Sequence, residues 1–545
     1  MIAGVAERKK QSFVEGAAVL TASTILVKIM GALFKLPLAN IIGDQGMADF
    51  GVAYNIYSLL LIMSTAGLPV AMSRMVSGAD ALGRRQQVQR TFRVARGAFF
   101  VLGAVSTLIM LLFSRQLAAF LNGPEAAGSI AMLAPALVCV CLISAYRGYT
   151  QGLGDMVPTS ISQIIETACK LLFGLTAAAL LMRAGKGSSA GAVGGIFGVT
   201  VGTVLALIYI VFYALRMDRR MGEPAGEPDE PDSVLSTLKQ LASIGIPVTI
   251  GSCILNLVAV VDTKMILGRL QSAAGFSYDM AKTYYGVYFN SQTLYNLPSA
   301  FVVPLVTSAI PAIAAFVAKK QGKSAARILG AALKLMNLLA MPMAVGMGVL
   351  SYPLMHGLYP DSHASGSAIL AILSIAAYFV CLTMLTNALL QAYGHEWLPM
   401  LSMAVGGVCK IAVNYVLLGN PDIGILGAAV GNVACYLVIS LMNLLMMRRK
   451  EPDCPALLPL FVKPLLASLI MGGFAWLCYR GAEALLRHMA LLQVGRLSQL
   501  APACVGVAAG VVAYLLLVLL LRAITRQELE LVPKGDKIAK ILRIK

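Results

Sequence analysis

Residues 17–42 read AAVLTASTILVKIMGALFKLPLANII, an apolar run whose charges are Lys28 and Lys35. A membrane-crossing helix needs about 20 such residues, because the hydrocarbon core is ~30 Å thick and a helix rises ~1.5 Å per residue. The run is too long for the core of a signal peptide, and no cleavage site follows it, so it is read as a retained first span. A cation inside hydrocarbon costs about 2.5–3.5 kcal/mol on insertion scales, so it lines a watery cavity or meets an anion. Arg74 repeats the pattern in the next apolar run, 50–76. Three cations in the first two spans predict a positively charged interior and a transported molecule with negative charge.

The same kind of run recurs along the whole chain. The 545 residues are 58% hydrophobic and 12% charged, with mean hydropathy +0.80. No soluble domain of this size has that balance, and the expected fold is an all-α polytopic membrane protein. Windows of ~20 apolar residues, broken by Gly, Pro or charge, predict about fourteen transmembrane helices. The least regular is 283–316, interrupted by Pro298, Pro304 and Pro311, which reads as a kinked helix plus a short one.

The net charge of +18 sits in short clusters between the apolar runs. It is explained by the positive-inside rule and by attraction to anionic membrane lipids; with no basic domain outside the membrane, nucleic acid is excluded as a partner. Arg84, Arg85, Arg90, Arg93 and Arg96 follow the second run, Lys319, Lys320 and Lys323 the eighth, and Arg448, Arg449 and Lys450 the twelfth. The opposite loops, such as 43–46 and 420–422, are short and poor in Lys and Arg. Both termini are therefore expected on the cytoplasmic side of a multi-pass protein in the bacterial cell membrane. The ten cysteines are scattered and lack zinc-like CxxC spacing, so they read as small packing residues.

The acidic, proline-rich stretch Glu223–Asp232, EPAGEPDEPD, cannot bury apolar surface and is expected to be a flexible cytoplasmic linker within 223–235. It separates an N-terminal lobe, 1–222, from a C-terminal lobe, 236–450, of six helices each. Two further helices follow in 451–525, and a basic cytoplasmic tail in 526–545. The lobes match at ordered landmarks. Gly67-Leu-Pro69 pairs with Asn296-Leu-Pro298, Arg147-xxx-Gln151 with Asn387-xxx-Gln391, and Cys169-Lys170 with Cys409-Lys410. Gly195-Ile-Phe-Gly198-xx-Val-Gly202 pairs with Gly424-Ile-Leu-Gly427-xx-Val-Gly431. Four matches in one order imply duplication. With an even number of spans per half, the repeat is parallel and pseudo-twofold, which predicts a substrate cavity between the lobes and rocking-type alternating access.

Lys28, Lys35 and Arg74 are the candidate substrate-binding residues. Asp262 and Glu166 are candidates for coupling or gating, and Arg147, Lys264 and Asn290 are secondary cavity candidates. Glu166 and Lys170 lie four apart, share a helix face and can simply pair. Pro69 and Pro298, at equivalent places, are candidate hinges. No GxxxxGK[ST] loop occurs, which argues against ATP hydrolysis. The four histidines are dispersed, no nucleophile–base arrangement is evident, and no metal site or cofactor is expected beyond a coupling Na⁺ or H⁺. An enzyme is therefore not expected.

The segment from Gly16 to Ser77 carries a family resemblance. Its Lys-x-x-Gly run, its IIGDQGM turn and its GLPVAMSRMVS ending resemble the polysaccharide-exporter and lipid II flippase branch of the MOP (MATE-like) superfamily, of the SpoVB/YtgP/MurJ type. Arg147-Gly-Tyr-Thr-Gln151-Gly and the two GIxGxxxG stretches extend it. The resemblance implies a two-lobed flippase that moves an undecaprenyl-pyrophosphate-linked sugar, lipid II or a related cell-wall precursor, from the inner to the outer leaflet. It also implies that Lys28, Lys35 and Arg74 line a cationic cavity, and that the last two helices form a groove for the lipid tail. Lipid II flippases carry an arginine before the proline of the eighth span, where this sequence has Thr293. A MATE-type cation or drug antiporter is the alternative, favoured only if acidic residues dominate the cavity. A scaffold recruiting cell-wall synthesis proteins would need partner-binding extensions longer than the cytoplasmic segments here.

Overall fold

The computed structural model describes residues 13–65, 67–221, 229–488 and 497–521. The basic tail 526–545, the first half of the acidic stretch and the basic residues at 8–10 lie outside the described residues. The chain forms α1 (Phe13–Thr65), α2 (Leu68–Ala81), α3 (Arg85–Leu112), α4 (Ser114–Phe120), α5 (Ala127–Gly152), α6 (Val157–Cys169), α7 (Leu175–Arg183), α8 (Ser188–Met221) and α9 (Val234–Ser272). It continues as α10 (Tyr278–Tyr295), α11 (Leu297–Ala318), α12 (Gly322–Val349), α13 (Ser351–Leu358), α14 (Gly366–Ala392), α15 (Trp397–Leu417), α16 (Leu426–Lys450), α17 (Leu458–His488) and α18 (Leu497–Leu520). Described residues include no strand, as expected where lipid cannot satisfy an open sheet edge.

Twelve stretches among the described residues are long and apolar enough to cross a membrane, against about fourteen expected. Two places make the difference. The first two expected spans lie in one apolar stretch, Ala22–Ala81, of 60 residues. At ~1.5 Å per residue that stretch is about three times the thickness of the hydrocarbon core, and it turns at Gly43 (φ 70°, ψ 179°), a conformation that a Cβ would strain. The expected span 283–316 is divided between α10 and α11, which meet at Asn296. It is two helices of similar length, not a kinked helix with a short appendage. Pro304 and Pro311 stay inside α11, whereas Pro298 sits in its first turn, where a missing N–H costs nothing. Pro69 occupies the same place in α2. Each proline thus begins a new helix rather than bending a continuous one.

Contacts sort the chain into two compact units, one holding the chain up to Ile42 together with Asp49–Thr263, the other Gly43–Ala48 and the chain from Lys264 onward. In the first, α5 lies against α2, α3 and α8. A polar ladder ties α9 to α1: Asn55 donates to Thr263 at 2.8 Å and Ser58 to Asn256 at 3.3 Å, and just beyond α1 the Gly67 N–H reaches Thr249 at 3.2 Å. Thr249, Asn256 and Thr263 are seven apart, so they share one helix face. In the second unit α14 lies against α11, α12 and α16, and α17 against α12 and α18. Both units leave large apolar side chains such as Ile208, Leu477 and Leu515 exposed, the surface expected of a protein solvated by lipid tails.

The two GIxGxxxG stretches do the same job in each unit. A Cβ at Gly202 would stand 2.5 Å from the carbonyl oxygen of Glu166, and one at Gly198 would strike the backbone of Gly174. The α6–α7 pair, joined through a π-helical turn at Lys170–Gly174, therefore seats directly on α8. A Cβ at Gly427 would stand 2.7 Å from the Leu417 Cβ, so α15 seats on α16 likewise.

The end of the acidic stretch, 229–232, lies against the start of α3, while 223–228 lie outside the described residues. Among its described residues, the Asp229 carboxylate accepts from the N–H groups of Gln86 (2.8 Å) and Gln87 (3.1 Å) at the start of α3. Arg84 donates to the Glu230 carbonyl at 2.8 Å and lies 3.4 Å from Asp232, whose own N–H donates to the Gln87 side chain at 2.7 Å. The composition that denies this segment a core suits it to cap a helix N-terminus. Asp229→Ala should cost about 1 kcal/mol and speed proteolysis after Asp232, read by thermal unfolding and timed protease digestion; unchanged kinetics would mean the cap does not hold the segment.

Candidate functional site

The first unit concentrates buried charge beside an aromatic wall. On α1, Phe34 and Phe50 have ring centroids 6.1 Å apart, Phe50 stacks on Tyr54 at 5.8 Å, and Tyr54 is 5.8 Å from Tyr57. The Lys35 ammonium lies 5.7 Å from the Tyr54 ring, and that of Lys170, at the π-helical turn, 5.5 Å from the Phe34 ring. Both are within the ~6 Å reach of cation–π attraction. Lys28 is half-buried, seven residues before Lys35 and so near the same face of α1. Arg74 is exposed on α2.

Arg147 and Glu166 form an ion pair, Nη2 to Oε2 at 3.4 Å, and the Arg147 Nε donates to Ser162 Oγ at 3.0 Å. Glu166 therefore takes Arg147 as its partner from the neighbouring helix, where helix spacing alone pointed to Lys170. The internal repeat supplies a comparison within the chain. The offset that pairs Arg147 with Asn387 and Lys170 with Lys410 also pairs Ser162 with Ser402 and Glu166 with Gly406. At the places of Arg147 and Ser162 the second unit holds a neutral network: Ser402 donates to Asn443 at 2.6 Å, and Asn443 to Asn387 at 2.7 Å. The same scaffold is built with an ion pair once and with amides once.

Asp262 is buried near the end of the first unit's share of α9, while Lys264 belongs to the second. Asn290 also lies in the second unit, almost wholly buried, and donates to Asp44 at 2.9 Å. Asp44 is a hub that sequence reasoning passed over. It also accepts from Ser362 Oγ (2.9 and 3.1 Å) and from the His363 N–H (3.0 Å). A Cβ at Gly286 would run into its backbone carbonyl, so α10 approaches the 43–48 turn as closely as a glycine allows. The site residues thus divide: Lys28, Lys35, Pro69, Arg74, Arg147, Glu166 and Asp262 belong to the first unit, and Lys264, Asn290 and Pro298 to the second.

Asp44→Asn removes the charge that strengthens these bonds and turns one acceptor into a donor facing donors. It should cost about 2 kcal/mol, read as an earlier thermal unfolding of the purified protein. No change would mean that water already shares the carboxylate.

Tyr54 and Tyr57 were also missed; their spacing of three, which places them on one helix face, was the available signal. An amphipathic aromatic wall bearing ammonium groups can hold an anionic group against the cations and cover the apolar face of an attached ring.

Comparison with known proteins places this arrangement in context. Residues 13–317 match the family described as polysaccharide biosynthesis protein. The lipid II flippase MurJ of Bacillus subtilis (strain 168) is 26% identical over 452 residues, 77% of this chain and 80% of that protein. Among solved structures, the lipid II flippase MurJ in an inward closed conformation superimposes with TM-score 0.68 at 13% identity, covering 92% of this chain and 99% of that one. An inward-facing multidrug resistance MATE family transporter of the MOP superfamily reaches 0.64 at 14% identity, covering 80% and 98%.

Proposed function

Because the chain belongs to the polysaccharide biosynthesis protein family, in the flippase branch of the MOP superfamily, we propose that it flips a polyprenyl-pyrophosphate-linked glycan. It is a MOP-type, multi-pass bacterial membrane transporter; the glycan, its direction from the cytoplasmic to the outer leaflet and the cytoplasmic placement of both termini are parts of this reading. The observation that carries it is the placing of ammonium groups against the aromatic wall of the first unit. Lys35 lies 5.7 Å from the Tyr54 ring and Lys170 5.5 Å from the Phe34 ring, with Lys28 two turns before Lys35 on α1. A pyrophosphate carries at least two negative charges, and ammonium groups offset the cost of stripping its water. The polyprenyl tail stays in lipid while the sugar crosses.

Arg74, exposed on α2, is assigned to the first encounter with the headgroup. Pro69 and Pro298, each opening a helix after a break, are assigned as hinges for alternating access by the repeated lobes 1–222 and 236–450, driven by membrane potential or an ion gradient. A drug or cation antiporter would be marked by carboxylates against the rings of this wall, where the structure places the ammonium groups of Lys35 and Lys170.

The test is reconstitution of the full chain in vesicles with a fluorescent polyprenyl-pyrophosphate disaccharide in one leaflet. Its appearance in the other, dependent on protein and slowed at least about tenfold by Lys28→Ala, supports the reading; one lost cation–phosphate contact accounts for that factor. Transport of a lipophilic cation with no movement of the anionic lipid would overturn it.

A further inference from the structure

The second unit holds a cavity of opposite character. It measures about 670 Å³ and lies among α12, α14, α16 and α17, within the ~300–1,000 Å³ typical of ligand sites. Apart from Arg448 its walls are hydrocarbon and hydroxyls already engaged: Ser374 donates to the Ala371 carbonyl at 2.7 Å, Ser440 to that of Phe379 at 3.2 Å and Tyr378 to the Asn337 side chain at 2.9 Å. A sugar or pyrophosphate inside would lose its water without replacement. On α17 the lining runs from Leu458 to Leu465, a rise of ~10 Å, within the depth of one leaflet of a ~30 Å core. Its flank is open to the bilayer, with Ile375, Leu441 and Leu458 all exposed.

Among the described residues one charged side chain lines it, that of Arg448. Arg448 stands in the last turn of α16 with Arg449 and Lys450 beside it, at the chain's basic flank. The nearest carboxylate in sequence, Glu451, is held by His395 at 3.1 Å. Hydrocarbon no deeper than one leaflet, with a guanidinium at its headgroup end, has the chemistry of a single lipid of that leaflet. We propose that this cavity binds an anionic phospholipid, an acyl chain filling the groove and the phosphate on Arg448. A polyprenyl chain is longer than a leaflet is deep and would overrun it. This site is independent of the aromatic wall and does not rest on the flippase reading.

The probe is phosphatidylglycerol with a diazirine in its acyl chain, photolysed with the full-length protein in phosphatidylcholine nanodiscs, the adducts mapped by peptide mass spectrometry. Adducts should fall on the lining segments of α14, α16 and α17. Arg448→Ala should lower labelling about fivefold, the weight of one basic side chain at an anionic headgroup. Ala344→Trp, which fills the groove from α12, should abolish labelling while an unaltered melting temperature reports intact folding. Unlabelled phosphatidylglycerol should compete and phosphatidylcholine should not. Equal labelling by a phosphatidylcholine probe, adducts outside the groove, or stronger competition by polyprenyl pyrophosphate would each overturn the assignment.

Discussion

Arg147→Gln is expected to destabilise the protein by about 3 kcal/mol, while the double variant Arg147→Gln with Glu166→Gln should recover most of that loss and still transport within about threefold of the parent. The single change leaves the Glu166 carboxylate without its cation in a site largely shielded from water, with side-chain exposures of 15% for Arg147 and 28% for Glu166; breaking such a pair from one side costs several kcal/mol. The double change removes both charges, and the second unit already folds with Asn387 and Gly406 at the matching places. Thermal unfolding of the three proteins, read beside vesicle transport, separates structure from mechanism. A double variant that melts like the parent but no longer transports would make the pair part of the transport machinery.

Lys35→Glu should reduce transport of the anionic lipid at least about 100-fold with little loss of folded protein. At an effective dielectric of about 20, a unit charge pair 6 Å apart is worth ~3 kcal/mol, and reversing the sign turns that attraction into a comparable repulsion. The new carboxylate would also face the negative side of the Tyr54 ring, which now holds the ammonium at 5.7 Å. Lys35→Arg keeps both the charge and the ring contact and should stay within a few fold of the parent. The measurement is the initial rate of flipping in vesicles, normalised to reconstituted protein. Equal rates for the Glu and Arg variants would remove the anionic headgroup from this wall.

The limits of sequence reading are visible at particular residues. The first run, 17–42, announced a membrane helix because twenty apolar residues have no alternative in water, and the two lysines within it stood out because hydrocarbon penalises charge. The paired GIxGxxxG stretches were legible as helix seats because small residues at that spacing serve close approach. Glu166 was open to misassignment because spacing along one helix counts only partners on that helix; Arg147 comes from the next one. At residues 229–232 composition excludes a core, yet it does not report the N–H groups at the start of α3 that the Asp229 carboxylate accepts from.

Asp44 shows the same boundary most plainly. In the sequence it is one polar residue in a glycine-flanked turn. Its role as acceptor for Asn290, Ser362 and His363 joins residues roughly 250 to 320 positions away. What this sequence determined by itself was the solvent of each segment and the small-residue seats between helices, since burial in lipid and close approach are written in neighbouring residues. What only the tertiary structure decided was which charge meets which partner, which aromatic rings stand under the lysines, and where an apolar groove opens beside Arg448. Those depend on distances between helices, and a hydrogen bond or ion pair is decided within about an ångström, a precision that periodicity along a chain does not carry.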